Sequence, residues 1–374
     1  MSRTEAIAQA RRIVVKIGSA LLTDAGVGLS HDRINAIAAD IDKLKSMGKD
    51  LVVVSSGAVA EGCNRLGWRQ RPETVHELQA AAAVGQMGLV QAWEQALRQF
   101  GCGTAIIMLT HDDLADRERY LNARATMTQL LSLGIVPVIN ENDTVATEEI
   151  RFGDNDTLAA LVANLIEGDL LVVLTDVAGV LSADPSQDPE AQLIEYGTAG
   201  DPSLERRAGA GGGELGRGGM ISKLKAAELA ARSGAHTVIA DGKEEAVLSR
   251  IIQGEAVGTF LEAQVSPMTA RKRWIAGHLR AKGSLVVDSG AVQALTDQGV
   301  SLLAVGVTGV QGQFERGDVV SILASDGRQV AQGLCNYASR DVLRLMGKKS
   351  EEFADHIEYV GEPELVHRDN LAIL

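Results

Sequence analysis

Six short apolar runs, rich in β-branched residues, recur along this chain: "IVVKI" (13–17), "LVVV" (51–54), "TAIIML" (104–109), "IVPVI" (135–139), "LLVVL" (170–174) and "HTVIA" (236–240). Longer stretches of helical pattern separate them. Continuous apolarity, rather than alternation, fits strands covered on both faces. Strands alternating with helices predict an α/β three-layer sandwich around a mostly parallel central sheet. In such sheets ligands bind beyond the C-terminal ends of the strands. A hydrophobic content of 45% suffices for the core that this arrangement needs, and 374 residues suggest two domains.

The strand ends read "KIGSA", "SSGAVAEG", "THDD", "NENDT" and "TDVAGV". Turns prefer Gly, Ser, Thr, Asp and Asn in any case, so the signal lies in their accumulation on one edge of one sheet. The densest case is "INENDTVATEEIRFGDND" (139–156), with six acids and three amides. Two readings fit it: a solvated surface loop, or a binding floor for a small, charged, amine-bearing ligand.

Residues 182–218 hold three of the seven prolines and a dense run of glycines. The stretch is too long for a passive connection, which predicts a lid or a functional hairpin. The helical "SKLKAAELAARSG" follows, with Gly234 placed as its stop. Around 263–280 the pattern breaks, and beyond it short strands with Gly turns predict a small barrel. The expected division is therefore 1–265, a linker at 266–280, a second domain at 281–361 and a tail at 362–374.

A net charge of -13 argues against a generally basic nucleic-acid surface, and 281–361 carries seven Lys/Arg against ten Asp/Glu. RNA binding is therefore not expected, and an anionic substrate would need a locally positive site. Three scattered cysteines without a CxxC pair predict neither a disulfide framework nor a structural zinc. The N-terminus has no apolar core of signal-peptide length, and no long apolar run occurs, so a cytoplasmic protein without membrane spans is expected.

The chain has no GxxxxGK[ST] loop. "GGGELG" (211–216) fits GxGxxG literally, but it neither follows a strand nor opens a helix directly, and it is rejected as a dinucleotide fingerprint. Lys16 sits inside an apolar strand. A buried ammonium needs an anionic partner, so Lys16 either meets a bound anion, pairs with a structural carboxylate or escapes to solvent at the strand end. Gly18 and Ser19 offer backbone N–H groups that suit phosphate oxygens. Lys223 lies in the first turn of its helix, against the helix dipole; it is either an exposed cation or one end of an anion site. Ser55 or Ser56 can cap the helix after "SSGA", or Ser56 can help hold a substrate carboxylate while Asp143 meets an ammonium. Asp154 to Asp156 sit at a helix start, where acids are favoured structurally. Thr175 and Asp176 either line a nucleotide pocket or turn the chain. His31, His76, His111 and His236 lack metal-ligand spacing, and no GxSxG elbow supports nucleophilic hydrolysis.

Taken in order, "VVKIGSALLT", "VSSGAVAEG", "INENDTV", "RFGDND", "LTDVAGVLSADP" and "GRGGMISKLKAA" resemble the amino acid kinase family, over about residues 10–360. The C-terminal segment resembles the PUA domain that many such kinases carry. The resemblance implies ATP-dependent phosphorylation of the side-chain carboxylate of L-glutamate, the first step of proline biosynthesis, with Mg2+ accompanying the ATP. It implies that Lys16 and Lys223 hold phosphoryl oxygens and that Asp156 orients them. Ser56, Asp143 and Asn155 match glutamate-binding positions. Lys16, Gly18, Ser19, Thr175, Asp176 and the segment Arg217, Gly218, Gly219, Met220, Ile221, Ser222 and Lys223 match ATP contacts. Arg217 stands where relatives often carry a smaller residue, and no direct metal ligand is assigned. Inhibition by proline and a dimeric or tetrameric homo-oligomer are further expectations. Rival readings are a kinase of the same fold acting on aspartate, acetylglutamate or a phosphorylated small molecule, an RNA binder, and an amino acid sensor without turnover. The "INEND" and "GDND" pair argues against the first, acidity against the second and the two lysines against the third.

Overall fold

The computed structural model of the chain describes residues 2–24, 27–145, 155–183, 188, 190–209, 219–264, 281–358 and 360–373. The chain divides into two compact units: Met1–Asp116 with Asn122–Pro267, and Arg117–Leu121 with Met268–Leu374.

In the first unit the described strands are β1 (Arg12–Ile17), β2 (Thr23–Asp24), β3 (Val27–Leu29), β4 (Asp50–Ser55), β5 (Thr104–Leu109), β6 (Val136–Glu141), β7 (Leu170–Thr175), β8 (Tyr196–Thr198), β9 (His236–Asp241) and β10 (Thr259–Glu262). Except for the small β2–β3 pair, they form one sheet in the order β5-β6-β4-β1-β7-β9-β10-β8. The six apolar runs supply β1, β4, β5, β6, β7 and β9, and every pairing among these is parallel. β10 runs antiparallel to β9, and β8 parallel to β10. Those two short strands lack the continuous apolarity that marked the others.

Period-two alternation sorts the buried strands between two helical layers. Val15, Ile17, Val53, Val138, Val172 and Leu174 join a core that includes Ile37 and Ile41 of helix His31–Ser46 and Leu89 and Trp93 of helix Val75–Arg98. Val14, Val52, Val54, Leu171 and Val173 are also fully buried, on the opposite face, where helix Asn155–Leu165 packs over β1, β4 and β7. Lys16 belongs to that second face, because it pairs in register with Val54 and Val173. β5 departs from the expectation of two covered faces. It is an edge strand, only Leu109 of it is buried, and Ile106 is 38% exposed.

Helices Ala58–Arg65 and Val75–Arg98 touch backbone to backbone. A Cβ on Gly62 would lie 1.7 Å from the Ala81 carbonyl oxygen, and one on Gly85 would lie 1.9 Å from that of Ala58. Gly234 has φ +90°, and Ala235 N donates to Ala230 O, so helix Met220–Ala231 is closed by a left-handed glycine as its sequence suggests. After β1 the chain moves to β4 on one side, and after β7 it moves to β9 on the other. The crevice of the sheet therefore opens between the ends of β1 and β7.

The second unit holds β11 (Gly283–Val287), β12 (Val307–Gly312), β13 (Val319–Ala324), β14 (Gln329–Leu334) and β15 (Leu371–Ile373), in the order β12-β11-β13-β14-β15. All its pairings are antiparallel except β11–β13. Its core includes Leu285, Val320, Ile322, Phe314 and Phe353. The stretch expected as a tail, 362–374, instead supplies β15, whose Leu371 and Ala372 are buried. All three cysteines are free and buried. Among the described residues no helix is long and apolar enough to cross a membrane. The expected linker 266–280 and most of the Gly-rich stretch, including "GGGELG", lie outside the described residues.

Candidate active site

Lys16 is the penultimate residue of β1, on the face covered by helix Asn155–Leu165. Asp156 lies in the first turn of that helix, and Lys223 in the first turn of helix Met220–Ala231. These three segments meet. Lys16 Nζ lies 2.6 Å from Asp156 Oδ1, and Lys223 Nζ lies 3.2 Å from Asp156 Oδ2. Ser222 Oγ lies 2.8 Å from the same Oδ2 and 3.0 Å from Gly219 O. Lys16, Asp156 and Lys223 are at most 7% exposed. Burial alone would raise the Asp156 carboxyl. Lys16 and Lys223 beside it, with hydrogen bonds from Lys16 and Ser222, hold it below the usual carboxylate range. Among the described residues this group sets one carboxylate between two ammonium groups. A buried group of that kind attracts a further anion.

A second group adjoins the first through Asn155. Its Nδ2 lies 3.1 Å from Ser55 O, 2.9 Å from Ser56 Oγ and 3.2 Å from Asn140 Oδ1. Asn140 and Glu141 end β6 and are 2% and 3% exposed. Asn140 Nδ2 donates to Gln86 Oε1 at 2.8 Å. Trp93 Nε1 donates to Ser55 Oγ at 2.9 Å, and Ser55 Oγ donates to Ser56 O at 3.1 Å. Gly57, with φ +111°, then turns the chain into helix Ala58–Arg65. Asp143 lies just beyond β6. Burial and then the Glu141 charge push its carboxyl up to about 7, against the lowering effect of Arg71. Glu141 in turn has His111 Nδ1 3.4 Å away.

The remaining expected residues fall as follows. Gly18 N donates to Leu174 O at 3.2 Å, and a Cβ there would lie 3.9 Å from Lys16 Nζ. Ser19 is exposed and opens the short helix Ser19–Leu22. Thr175 ends β7 and donates to Asp176 Oδ1 at 3.3 Å. Gly219 caps the helix that begins with Met220, Ile221 and Ser222. Arg217, Gly218, Glu148, Glu149 and Asp154 lie outside the described residues. The sequence reading gave no role to Gln86 or Trp93, and none to Asn140 beyond its place in "INEND". The signal for Asn140 was an amide ending an otherwise apolar run, where burial demands a partner.

Two ammonium groups gathered on one carboxylate, at the C-terminal edge of a parallel α/β sheet, have the charge that a transferring phosphoryl group requires. The model of the amino acid kinase family matches residues 11–241, and that of the PUA domain matches residues 283–357. The chain belongs to the amino acid kinase family. Its relatives include glutamate 5-kinase of Nitrosospira multiformis, 57% identical over 366 residues, covering 98% of each chain. They also include glutamate 5-kinase of Pseudomonas savastanoi pv. phaseolicola, 58% identical over 365 residues, covering 98% of this chain and 99% of the relative.

Proposed function

We propose that this protein transfers the γ-phosphoryl group of ATP to the γ-carboxylate of L-glutamate, forming γ-glutamyl phosphate for proline biosynthesis. The observation that carries the reading is Asp156, one carboxylate between Lys16 and Lys223, next to an amide-rich pocket wall. Relatives at 56–58% identity with this chemistry in their names support the choice of substrate.

A carboxylate oxygen of glutamate forms the new bond to the γ-phosphorus as the bond to the β-phosphate oxygen breaks, and ADP leaves. The attacking carboxylate is ionised well below neutral pH, at a pKa of about 4.3, so no general base is required. Lys16 and Lys223 neutralise charge on the transferring oxygens. Asp156 keeps both ammonium groups aimed. The Ser19 backbone N–H, Thr175 and Asp176, and the 217–223 segment hold the rest of the nucleotide, while Gly18, whose N–H is expected at the phosphate but donates instead to Leu174 O, contributes only room for close approach. Asp143 meets the substrate ammonium, and Ser56 and Asn155 complete that end.

Among the described residues no group of three or more His, Cys, Asp or Glu could hold a metal, and Asp156 is already taken by two lysines. A Mg2+ would therefore arrive with ATP as part of the substrate, where it would neutralise part of the triphosphate charge. Proline, with a secondary ammonium and the same α-carboxylate, would compete at the amino acid end. A cytoplasmic homo-oligomer, dimer or tetramer, completes the proposal.

The deciding experiment is an ATP-dependent assay across glutamate, aspartate and acetylglutamate, with hydroxylamine to trap an acyl phosphate. A hydroxamate formed with glutamate alone is expected. Trapped product from aspartate or acetylglutamate in preference to glutamate would overturn the substrate assignment.

A further inference from the structure

Three carboxamides from three elements stand in a row: Asn155 in helix Asn155–Leu165, Asn140 at the end of β6 and Gln86 in helix Val75–Arg98. A carboxamide can be turned over, exchanging donor for acceptor, with almost no change of shape. Here one atom removes that freedom. Ser55 O, 3.1 Å from Asn155, is a backbone carbonyl and can only accept. Asn155 must therefore turn its NH2 toward it. Asn140 is within 3.2 Å of the same NH2 and must present oxygen. The NH2 of Asn140 then faces Gln86, which must present oxygen in its turn, at 2.8 Å. One carbonyl at the end of β4 fixes the polarity of all three side chains.

The two ends of the row follow from that polarity. Asn155 Oδ1 is buried, and no donor among the described residues reaches it. At the far end Gln86 Nε2 is buried and is likewise unmatched among the described residues. A buried unmatched acceptor is costly in the empty protein, and that cost is recovered when a ligand brings a donor. An ammonium has only donors to offer. A row turned the other way would leave an NH2 at Asn155 and would repel it.

We propose that Gln86 is a positioning residue for the amino acid end of the substrate. By accepting from Asn140 it locks the row, and the locked row keeps Asn155 Oδ1 as a fixed acceptor for the ligand ammonium. The same helix also reaches the side chain of the residue that carries the anchoring carbonyl. Trp93, about two turns beyond Gln86, can only donate, so the Ser55 hydroxyl must receive from it and direct its own proton to Ser56 O. Helix Val75–Arg98 thereby sets the hydrogen-bond sense of the pocket wall from a layer behind the substrate. The inference rests on the reading of this site as a glutamate site.

The test compares Gln86→Met, which removes the acceptor at similar length, with Gln86→Glu, which keeps an acceptor and cannot donate. Steady-state kinetics, glutamate calorimetry and thermal melting are measured on the full chain. Gln86→Met is expected to raise the glutamate KM and Kd roughly tenfold, the scale of one lost hydrogen bond, with kcat and the ATP KM within about twofold. Gln86→Glu is expected to bring the glutamate KM back to within about threefold of the parent chain. Equal losses in the two variants would mean that a donor is needed, and the polarity would be wrong. An unchanged KM in Gln86→Met would remove the role altogether. Matching falls in kcat, ATP affinity and melting temperature would reduce Gln86 to packing. Gln86→Ala substitutes where Gln86→Met does not fold. Failure of the parent chain to phosphorylate glutamate is a separate outcome; it overturns the glutamate reading, and the inference with it.

Discussion

Lys223 stands near a helix N-terminus, where the backbone dipole disfavours a cation. Its Nζ is held there by Asp156 at 3.2 Å, and its burial means that the charge acts at low dielectric. Lys223→Ala should lower kcat roughly 10²-fold or more, the scale for removing a preorganised electrostatic group. A nearly normal rate at saturating substrates would discard the role. Asp143 makes a pH prediction. With its carboxyl pushed up to about 7, the empty folded protein carries a proton on Asp143 below that pH. On the proposed role of Asp143 as partner of the substrate ammonium, glutamate must displace this proton. The glutamate KM should therefore fall as pH rises from about 6 to about 8 and then level off, with kcat less affected. Calorimetry in two buffers of different ionisation enthalpy should find close to one proton released per glutamate near pH 6 and none near pH 9. Asp143→Asn should abolish the release, and a flat KM over that range would sink the assignment. The same proton sets a sign for stability. An unfolded Asp143 ionises near its ordinary value while the folded one does not, so its contribution falls as pH rises from about 4 to about 7. Lys16 was legible in the sequence because a lysine inside an apolar strand demands an anion. The sequence left open whether that anion was bound or structural, and the geometry supplies Asp156. Gln86 was not legible. In an Ala-rich helix a glutamine reads as a solvated position, and its meaning depends on where Asn140 falls in space.

The helix pair behind the pocket wall shows how such positions are fixed at the level of elements. Helix Ala58–Arg65 begins where the "SSG" turn ends, and Gly62 and Gly85 allow helix Val75–Arg98 to approach its backbone directly. That approach brings Gln86 and Trp93 within hydrogen-bond reach of β6 and β4. Gly85→Ala would put a Cβ against the Ala58 carbonyl, which is backbone and cannot swing away. The expected cost is about 1–3 kcal/mol, with a glutamate KM that rises more than the ATP KM because the wall behind the proposed glutamate end moves. Thermal melting together with the two KM values checks this; a variant with unchanged melting and kinetics would show that the close approach is not needed. The parallel strands were legible because burial on both faces leaves a continuous apolar run. β8, β10 and β15 were not, since three or four residues carry too little pattern and their places depend on partners distant in sequence. β5 misled in the opposite sense. It is as apolar as the central strands, yet it lies at an edge.

At the scale of the whole chain, a molecule with net charge -13 is proposed to bind two anionic substrates. The general field opposes this, so the local charge of Lys16 and Lys223 has to prevail at short range, where burial limits screening. Every candidate site residue precedes position 224. Among the described residues the larger core runs to Phe260, whereas the second core begins at Leu285. Each unit thus has the apolar interior that independent folding requires. A chain ending at residue 264 should therefore fold cooperatively and keep making trapped γ-glutamyl hydroxamate, with kcat within about tenfold of the full chain. Residues 281–374 alone should also fold, because β15 closes their sheet at the far end of the segment, and removing 362–374 should destabilise that unit by taking away the buried Leu371 and Ala372 and uncovering their partners on β14. If the shorter kinase unit melts cooperatively and binds ATP but forms no acyl phosphate, catalysis needs a residue beyond 264. The account built on Asp156 and its two lysines would then lack an essential member.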